Sequence, residues 1–152
     1  MTSSHDRVAA LPPAVIVHGL GDVRDVLAVA MRHPVTFLSA PGAASYAGCG
    51  WWRALMAQAR AEFPDASLAD VLDCGGASGD ALAALRIGQA LLVLSPAAPG
   101  RDAVAAMAAD WGGAVLPCAP PALDMAQARD RRRLHEWLHQ RTTPGDSGPT
   151  LG

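Results

Sequence analysis

The stretch ALLVLS, residues 90–95, is an almost uninterrupted apolar run that ends in a serine. Two earlier stretches have the same character, AVIVH at 14–18 and VTFLS at 35–39. Continuous runs rich in β-branched residues are typical of strands in a parallel sheet whose two faces are both covered. Two shorter runs, ADVLD at 69–73 and AVLP at 114–117, complete a set of five predicted strands.

Each predicted strand is followed by a stretch with helical periodicity. The first helix starts near Asp22 and is stopped by His33-Pro34, and its predicted buried stripe is Val23, Val26, Leu27, Ala30 and Met31. Four further helices are predicted: about 52–63, 78–87, 104–111 with a stripe that ends at Trp111, and 123–140.

Five strand–helix units in about 130 residues favour an α/β fold with a doubly wound parallel sheet in strand order 2-1-3-4-5. The alternative is a partial (β/α) barrel, because a full barrel of eight units needs about 250 residues. We expect one domain over residues 12–140, with disordered tails at 1–11 and 142–152.

The region from ADVLDCGG through ALLVLSP to AVLPC resembles the response-regulator receiver domains, which have a flavodoxin-like fold. In this resemblance Asp73 matches the phospho-acceptor aspartate, Ser95 the hydroxyl residue after the fourth strand, and Pro117 the proline after the fifth. The receiver's acidic pair is replaced by His18-Gly19 and its lysine by Leu116. The resemblance therefore implies the fold without phosphotransfer. Four short motifs also resemble those of a group of small bacterial proteins: HGLGD at 18–22, SAPGA at 39–43, GWW at 50–52 and DCG at 73–75.

Composition excludes several classes of function. All twelve basic residues are arginine, so this chain has no lysine for a Schiff base or for a phosphate-binding GK[ST] loop. A net charge of -2 gives no electrostatic footprint for nucleic acid. Since no apolar run reaches the roughly 18 residues of a membrane span, we expect a cytoplasmic protein without membrane contact.

Two glycine-rich loops are the candidate site. Ligands of open parallel sheets bind beyond the carboxyl ends of the strands where the winding reverses, which for this strand order lies between strands one and three. The predicted ligand-binding residues are His18, Gly19, Gly21, Asp22, Asp73, Cys74, Gly75, Gly76, Ser78 and Gly79. Because the loops carry aspartates, a small polar or mixed-charge ligand fits them better than a bare phosphate. The glycines also fit plain tight turns.

Two enzymatic interpretations stay open beside ligand or partner binding. The first uses His18, Asp22, Asp73 and Cys74 for acid–base or thiol chemistry. The second rests on His135-Glu136-Trp137-Leu138-His139, an H-E-x-x-H sequence of the kind that binds zinc in metallohydrolases. Both histidines fall outside the predicted buried stripe of their helix, so we predict no metal and no cofactor. The aromatic loop at 41–52 is a lid or an oligomer contact, and we expect a homo-oligomer.

Overall fold

A computed structural model describes residues 10–140. Its strands are β1 (Ala14–Ile16), β2 (Val35–Leu38), β3 (Leu68–Asp73), β4 (Leu91–Val93), β5 (Ala114–Leu116) and β6 (Ala122–Asp124). Its helices are α1 (Leu20–Ala30), α2 (Ala43–Tyr46), α3 (Cys49–Glu62), α4 (Ser78–Arg86), α5 (Arg101–Asp110) and α6 (Ala128–Leu138). The predicted tails lie outside the described residues except for residues 10 and 11, and Leu11 packs against an apolar cluster of the sheet.

The six strands form one sheet in the order β5-β4-β3-β2-β1-β6, and every neighbouring pair is parallel. The predicted α/β class with a parallel sheet is confirmed. The predicted strand order 2-1-3-4-5 is wrong, since β2 lies between β1 and β3. The strand count differs as well, because the segment predicted to begin the last helix at residue 123 forms β6 instead.

The helices pack on one face of the sheet. From β1 to β5 each strand is added on the same side of the previous one, and right-handed crossovers then place all the connecting helices on the same face. Val15, Phe37, Leu72 and Leu92 point into this helical layer and are fully buried. The winding does not reverse between β1 and β3, so the crevice expected there does not exist.

The opposite face of the sheet is buried without any described helix against it. Its central side chains are Leu38, Val71, Val93 and Leu116, and none is more than 5% exposed. Apart from Leu11, the side chains packed against this cluster belong to the strands themselves: Ile16, Leu91 and Ala122. A sheet that curls so that its own side chains meet on the concave face accounts for this burial.

The connection between β5 and β6 requires the same curl. The two strands stand at opposite edges of the sheet, about 24 Å apart if five spacings of about 4.8 Å lay flat. Residues 117–121 join them, and the six Cα steps from Leu116 to Ala122 reach about 21 Å when fully extended. Bends within this link shorten it further. The sheet edges are thus drawn toward each other.

The predicted helical stripes are correct except at the helix ends. Val23, Val26, Leu27 and Ala30 of α1 are buried as expected, but Met31 is 74% exposed. Trp111 of the predicted fourth stripe is 56% exposed. Both residues are C-caps, where the chain leaves the helical path and the side chain no longer follows the helix face.

Candidate functional site

The carboxyl ends of all six parallel strands lie at one end of the sheet, and the predicted site residues divide there into two groups. One group follows β1 and lies beside β6, which pairs with β1. The other follows β3 and lies between β2 and β4. Since β2 separates β1 from β3, the two glycine loops are not adjacent as the expected strand order required.

His18 follows β1 and forms the first group with Asp124, the last residue of β6. Its Nε2 lies 2.7 Å from Asp124 Oδ1, and the two side chains are 39% and 29% exposed. Because the register places Ile16 opposite Asp124, the imidazole reaches across from the β1 loop to the end of the neighbouring strand. No other described residue hydrogen-bonds to the ring, so Nδ1 is left for solvent or a ligand.

The Asp124 carboxylate is held in its ionised form. Burial raises its pKa, but the hydrogen bond from His18, the hydrogen bond from the Ala126 N–H and the charge of His18 together outweigh burial and lower it. An ionised Asp124 accepts the proton of Nε2, which orients the imidazole and places the lone pair of a neutral ring on Nδ1. The contact therefore fixes the orientation of the His18 ring at the ends of the strands.

Asp22 supports the loop that carries His18. Its Oδ2 accepts a hydrogen bond from the His18 backbone N–H at 2.9 Å, and its Oδ1 accepts one from Arg131 Nη2 at 2.6 Å. Arg131 also donates to Asp25 and to the Met125 carbonyl oxygen. The guanidinium therefore ties α6 to α1. The predicted residues Gly19 and Gly21 lie at the start of α1, Gly19 as its N-cap.

Asp73 holds two loops together. Its Oδ1 accepts hydrogen bonds from the backbone N–H of Gly42 at 3.0 Å and of Gly75 at 2.8 Å. Both glycines have positive φ, 66° and 55°, a conformation that other residues adopt only with strain. Ser39 completes the contact by accepting the Asp73 N–H at 2.9 Å. The carboxylate expected to face a ligand, or a phosphoryl group by the receiver resemblance, is thus engaged with the protein's own backbone.

Cys74 does not fit the role of a nucleophile. Its side chain is 1% exposed and packs in the apolar cluster between sheet and helices. Burial, reinforced by the charges of Asp73 and Asp80, raises the pKa of the thiol to about 12. The thiolate needed for thiol chemistry is therefore disfavoured.

The remaining residues of the second loop have structural contacts. Ser78 begins α4 and its hydroxyl donates to the Pro99 carbonyl oxygen, while Gly76 and Gly79 flank that start. In the aromatic loop, Ser45 donates to Asp80 at 2.6 Å and Trp52 is buried, whereas Tyr46 is 70% exposed. Asp80 is therefore also engaged.

The H-E-x-x-H histidines lie at the end of α6. The rings of His135 and His139 are stacked with centroids 4.1 Å apart, and His33 meets His139 edge-on at 4.3 Å. Among residues 10–140, no group of three or more histidine, cysteine, aspartate or glutamate side chains is arranged to hold a metal ion. The described residues therefore supply no set of metal ligands for the alternative of a metal-dependent hydrolase.

Sequence reasoning found His18 but missed Asp124, because the predicted last helix began at residue 123 and therefore included it. A signal was present. The letters ALD at 122–124 repeat the apolar–Leu–Asp ending of β3 at 71–73, where an aspartate also closes a strand. An aspartate at the carboxyl end of a parallel strand is a natural candidate for the site end of the sheet.

The fold and site define an α/β protein with a curled, all-parallel sheet and an oriented histidine at the carboxyl ends of its strands. No known family model matches the chain, and no curated protein is detectably similar to it in sequence. Within residues 10–140, no helix has the length and apolar character needed to cross a membrane.

Proposed function

We propose that the protein binds a small polar ligand at the carboxyl ends of β1 and β6, with His18 as the contacting group. The observation that carries this proposal is the half-exposed imidazole whose Nε2 is fixed by Asp124 while Nδ1 stays without a partner among the described residues. An oriented ring with one unused nitrogen offers a directional hydrogen bond at low entropic cost. The binding residues are His18 and Asp124, supported by Asp22.

The surrounding charge favours a neutral or cationic ligand that carries hydrogen-bond donors. Asp22, Asp25, Asp124 and Asp130 surround the loop, and the nearby Arg131 is already engaged by two carboxylates and a carbonyl oxygen. Arg131, and Arg129, which lies 3.6 Å from Asp130, balance only two of these four carboxylates, so a phosphate would meet net negative charge there. Hydroxyl or amine groups would instead find acceptors, so polyols, sugars and small amines are the ligand class that fits.

Phosphotransfer of the receiver type is not part of the proposal. The Asp73 carboxylate accepts two backbone hydrogen bonds, and Leu116 stands where the receiver resemblance would require lysine. Both facts support a binding function without a phosphoryl intermediate.

A second candidate is an enzyme in which His18 acts as a general acid or base. The 2.7 Å contact with Asp124 favours it, since a carboxylate that fixes the tautomer is the usual partner of a catalytic imidazole. This version replaces the expected Asp73 and Cys74 by Asp124. The two candidates share a site and differ only in whether the bound molecule is transformed.

The test of binding is an NMR titration of the 15N-labelled full chain with a panel of polyols, sugars and primary amines, and inorganic phosphate as the contrasting probe. We expect resonances of the β1 and β6 loops to shift with at least one organic probe and not with phosphate. His18→Ala should abolish the shifts, and His135→Ala, an exposed histidine elsewhere, should leave them unchanged. Shifts that persist in His18→Ala would place the ligand elsewhere and refute the proposal.

Catalysis is tested with each probe that binds in the NMR titration. The mixture is incubated with the protein and analysed by mass spectrometry over time. An enzyme should convert the probe, and Asp124→Asn should lower turnover more than it lowers affinity, because the orienting charge acts on proton transfer. A probe that binds and stays chemically unchanged would support binding alone and exclude catalysis on that molecule.

A further inference from the structure

Each long helix of the layer around the sheet except α6 ends in a large apolar C-cap residue, and these caps lie at the end of the molecule opposite the candidate site. The caps are Met31 after α1, Phe63 after α3, Ile87 after α4 and Trp111 after α5. Each helix returns the chain to the amino end of the next strand, so the four caps share that end. Three of them are exposed, by 74% for Met31, 46% for Ile87 and 56% for Trp111.

The distribution of exposed apolar side chains makes this end distinctive. Five large hydrophobic residues are exposed in the described chain, and the other two, Tyr46 and Trp51, belong to the aromatic loop at the site end. Apart from Tyr46 in α2 and Trp51 in the first turn of α3, no large hydrophobic residue within the helices of residues 10–140 is exposed. Large apolar side chains that cluster in one exposed region are a mark of an interaction surface.

We infer that this end binds a second copy of the chain, forming a two-fold dimer. Complementary shape supports the inference. A cavity of about 610 Å³ opens between the ends of α1 and α3, lined by Leu27, Met31, Arg32, Glu62, Phe63 and Pro64. Trp111 and Ile87 protrude at the ends of the next two helices. The lining is mixed, with apolar Phe63 and Pro64 beside charged Arg32, Glu62 and Asp65. One surface therefore carries both an apolar projection and a recess large enough to receive it, as a self-complementary interface requires.

Charge complementarity selects a second copy over a charged partner. Arg32 and Asp65 lie beside the recess, and Arg86 and Asp110 lie beside the projection. All four are exposed, and none forms an ion pair within residues 10–140. Two arginines and two aspartates at one exposed end can each meet an opposite charge when two copies associate about a two-fold axis. The balanced charge offers nothing to a nucleic acid or to an acidic surface.

This dimer leaves the candidate site free, because the site lies at the other end of the strands. The proposed contact surface differs from the aromatic loop at 41–52, which the sequence suggested as an oligomer contact. The inference stands independently of the proposed ligand function, since it rests on different residues.

The experiment measures the mass of the full chain by native mass spectrometry and light scattering across micromolar concentrations. We expect a dimer for the natural sequence and at least about a tenfold weaker dissociation constant for Trp111→Glu, as for a central aromatic anchor. Met31→Glu, on the recess side, should weaken it as well. Tyr46→Glu is the matched control, an exposed aromatic at the other end, and should leave the dimer intact.

Three results would overturn the inference. The natural chain could be monomeric throughout the concentration range. Its dimer could survive both Trp111→Glu and Met31→Glu with an unchanged dissociation constant. Its dimer could instead be broken by Tyr46→Glu, which would place the contact at the aromatic loop. Far-UV circular dichroism verifies that each variant is folded. We expect all three to fold, because the replaced side chains are exposed.

Discussion

His18 Nε2 and Asp124 Oδ1 lie 2.7 Å apart although 106 positions of sequence separate the two residues. The contact exists because β6, the last strand in the chain, pairs with β1, the first. The pair thus joins the beginning and the end of the fold. Its electrostatics can be measured without knowing the ligand.

Replacing Asp124 by Asn should lower stability in a pH-dependent way. The folded-state pKa of Asp124 lies below its usual value because the hydrogen bonds of His18 and Ala126 outweigh burial. A carboxyl group with a lowered pKa stabilises the fold above its unfolded pKa and loses this contribution as the pH falls through its folded pKa. For a half-exposed pair we expect a loss of about 0.5 kcal/mol at pH 7.

Urea unfolding of the natural chain and of Asp124→Asn, at pH 7 and at successively lower pH, measures this difference. The two free energies of unfolding should converge in acid. A difference that stays constant down to pH 2 would show that Asp124 contributes no charge-dependent stabilisation. His18→Gln should show a similar convergence, since it removes the other partner.

Replacing Asp73 by Ala should destabilise the fold markedly. The change leaves the partly buried backbone N–H groups of Gly42 and Gly75 without their acceptor. A fully buried unsatisfied donor costs about 1–3 kcal/mol, and water can reach these two groups in part, so we expect a total loss of about 1–3 kcal/mol in urea unfolding. Asp73→Asn keeps an acceptor oxygen and should lose less than half of that. Equal losses for the two variants would mean that the two hydrogen bonds are not what Asp73 contributes.

The fold class was predictable because it depends on local pattern, and the strand order was not. Continuous apolar runs such as residues 90–95 identify buried parallel strands directly. Which strand pairs with which depends on where each crossover lands, and nothing in the periodicity of a run records that choice. The short β6 follows Pro120-Pro121 and only residues 125–127 separate it from α6, so local pattern assigned its residues 123 and 124 to the helix.

The candidate site was predictable in part for the same reason. His18 and Asp73 both follow strands, so their position at the carboxyl ends followed from the parallel sheet. Their separation by β2, and the pairing of His18 with Asp124, depend on strand order. The burial of Cys74 agrees with alternation along β3, because Leu72, two positions earlier, lies in the same apolar cluster under the helices.

Cys74 and Cys118 should differ strongly in their reactivity. Cys74 is buried and its thiol has a pKa raised to about 12, whereas Cys118 is exposed. Because the thiolate is the reacting species, iodoacetamide at pH 8 should modify Cys118 about a hundredfold faster or more. Peptide mass spectrometry of the alkylated native protein measures both rates in one sample. Equal rates would contradict the burial of Cys74, and unfolding in urea should make the two thiols equivalent.

Asp70 is the buried carboxylate whose removal should cost most. It is 8% exposed and accepts hydrogen bonds from Arg60 at 2.6 Å, from Gln89 Nε2 at 2.9 Å and from Trp52 Nε1 at 3.2 Å. Asp70→Leu leaves the buried indole N–H without an acceptor and the guanidinium without its partner. Since the Arg60 side chain is 45% exposed and can turn to water, we expect a loss of about 2–4 kcal/mol.

The measurement is the free energy of unfolding in urea for Asp70→Leu and for Glu136→Leu, which alters an exposed carboxylate on α6 away from the proposed dimer surface. Glu136→Leu should stay within about 0.5 kcal/mol of the natural chain, as surface substitutions do. Arg60→Gln should fall between the two, because the carboxylate keeps its contacts with Trp52 and Gln89. If Asp70→Leu costs no more than Glu136→Leu, the three hydrogen bonds contribute no net stability and an apolar side chain serves equally well at this position.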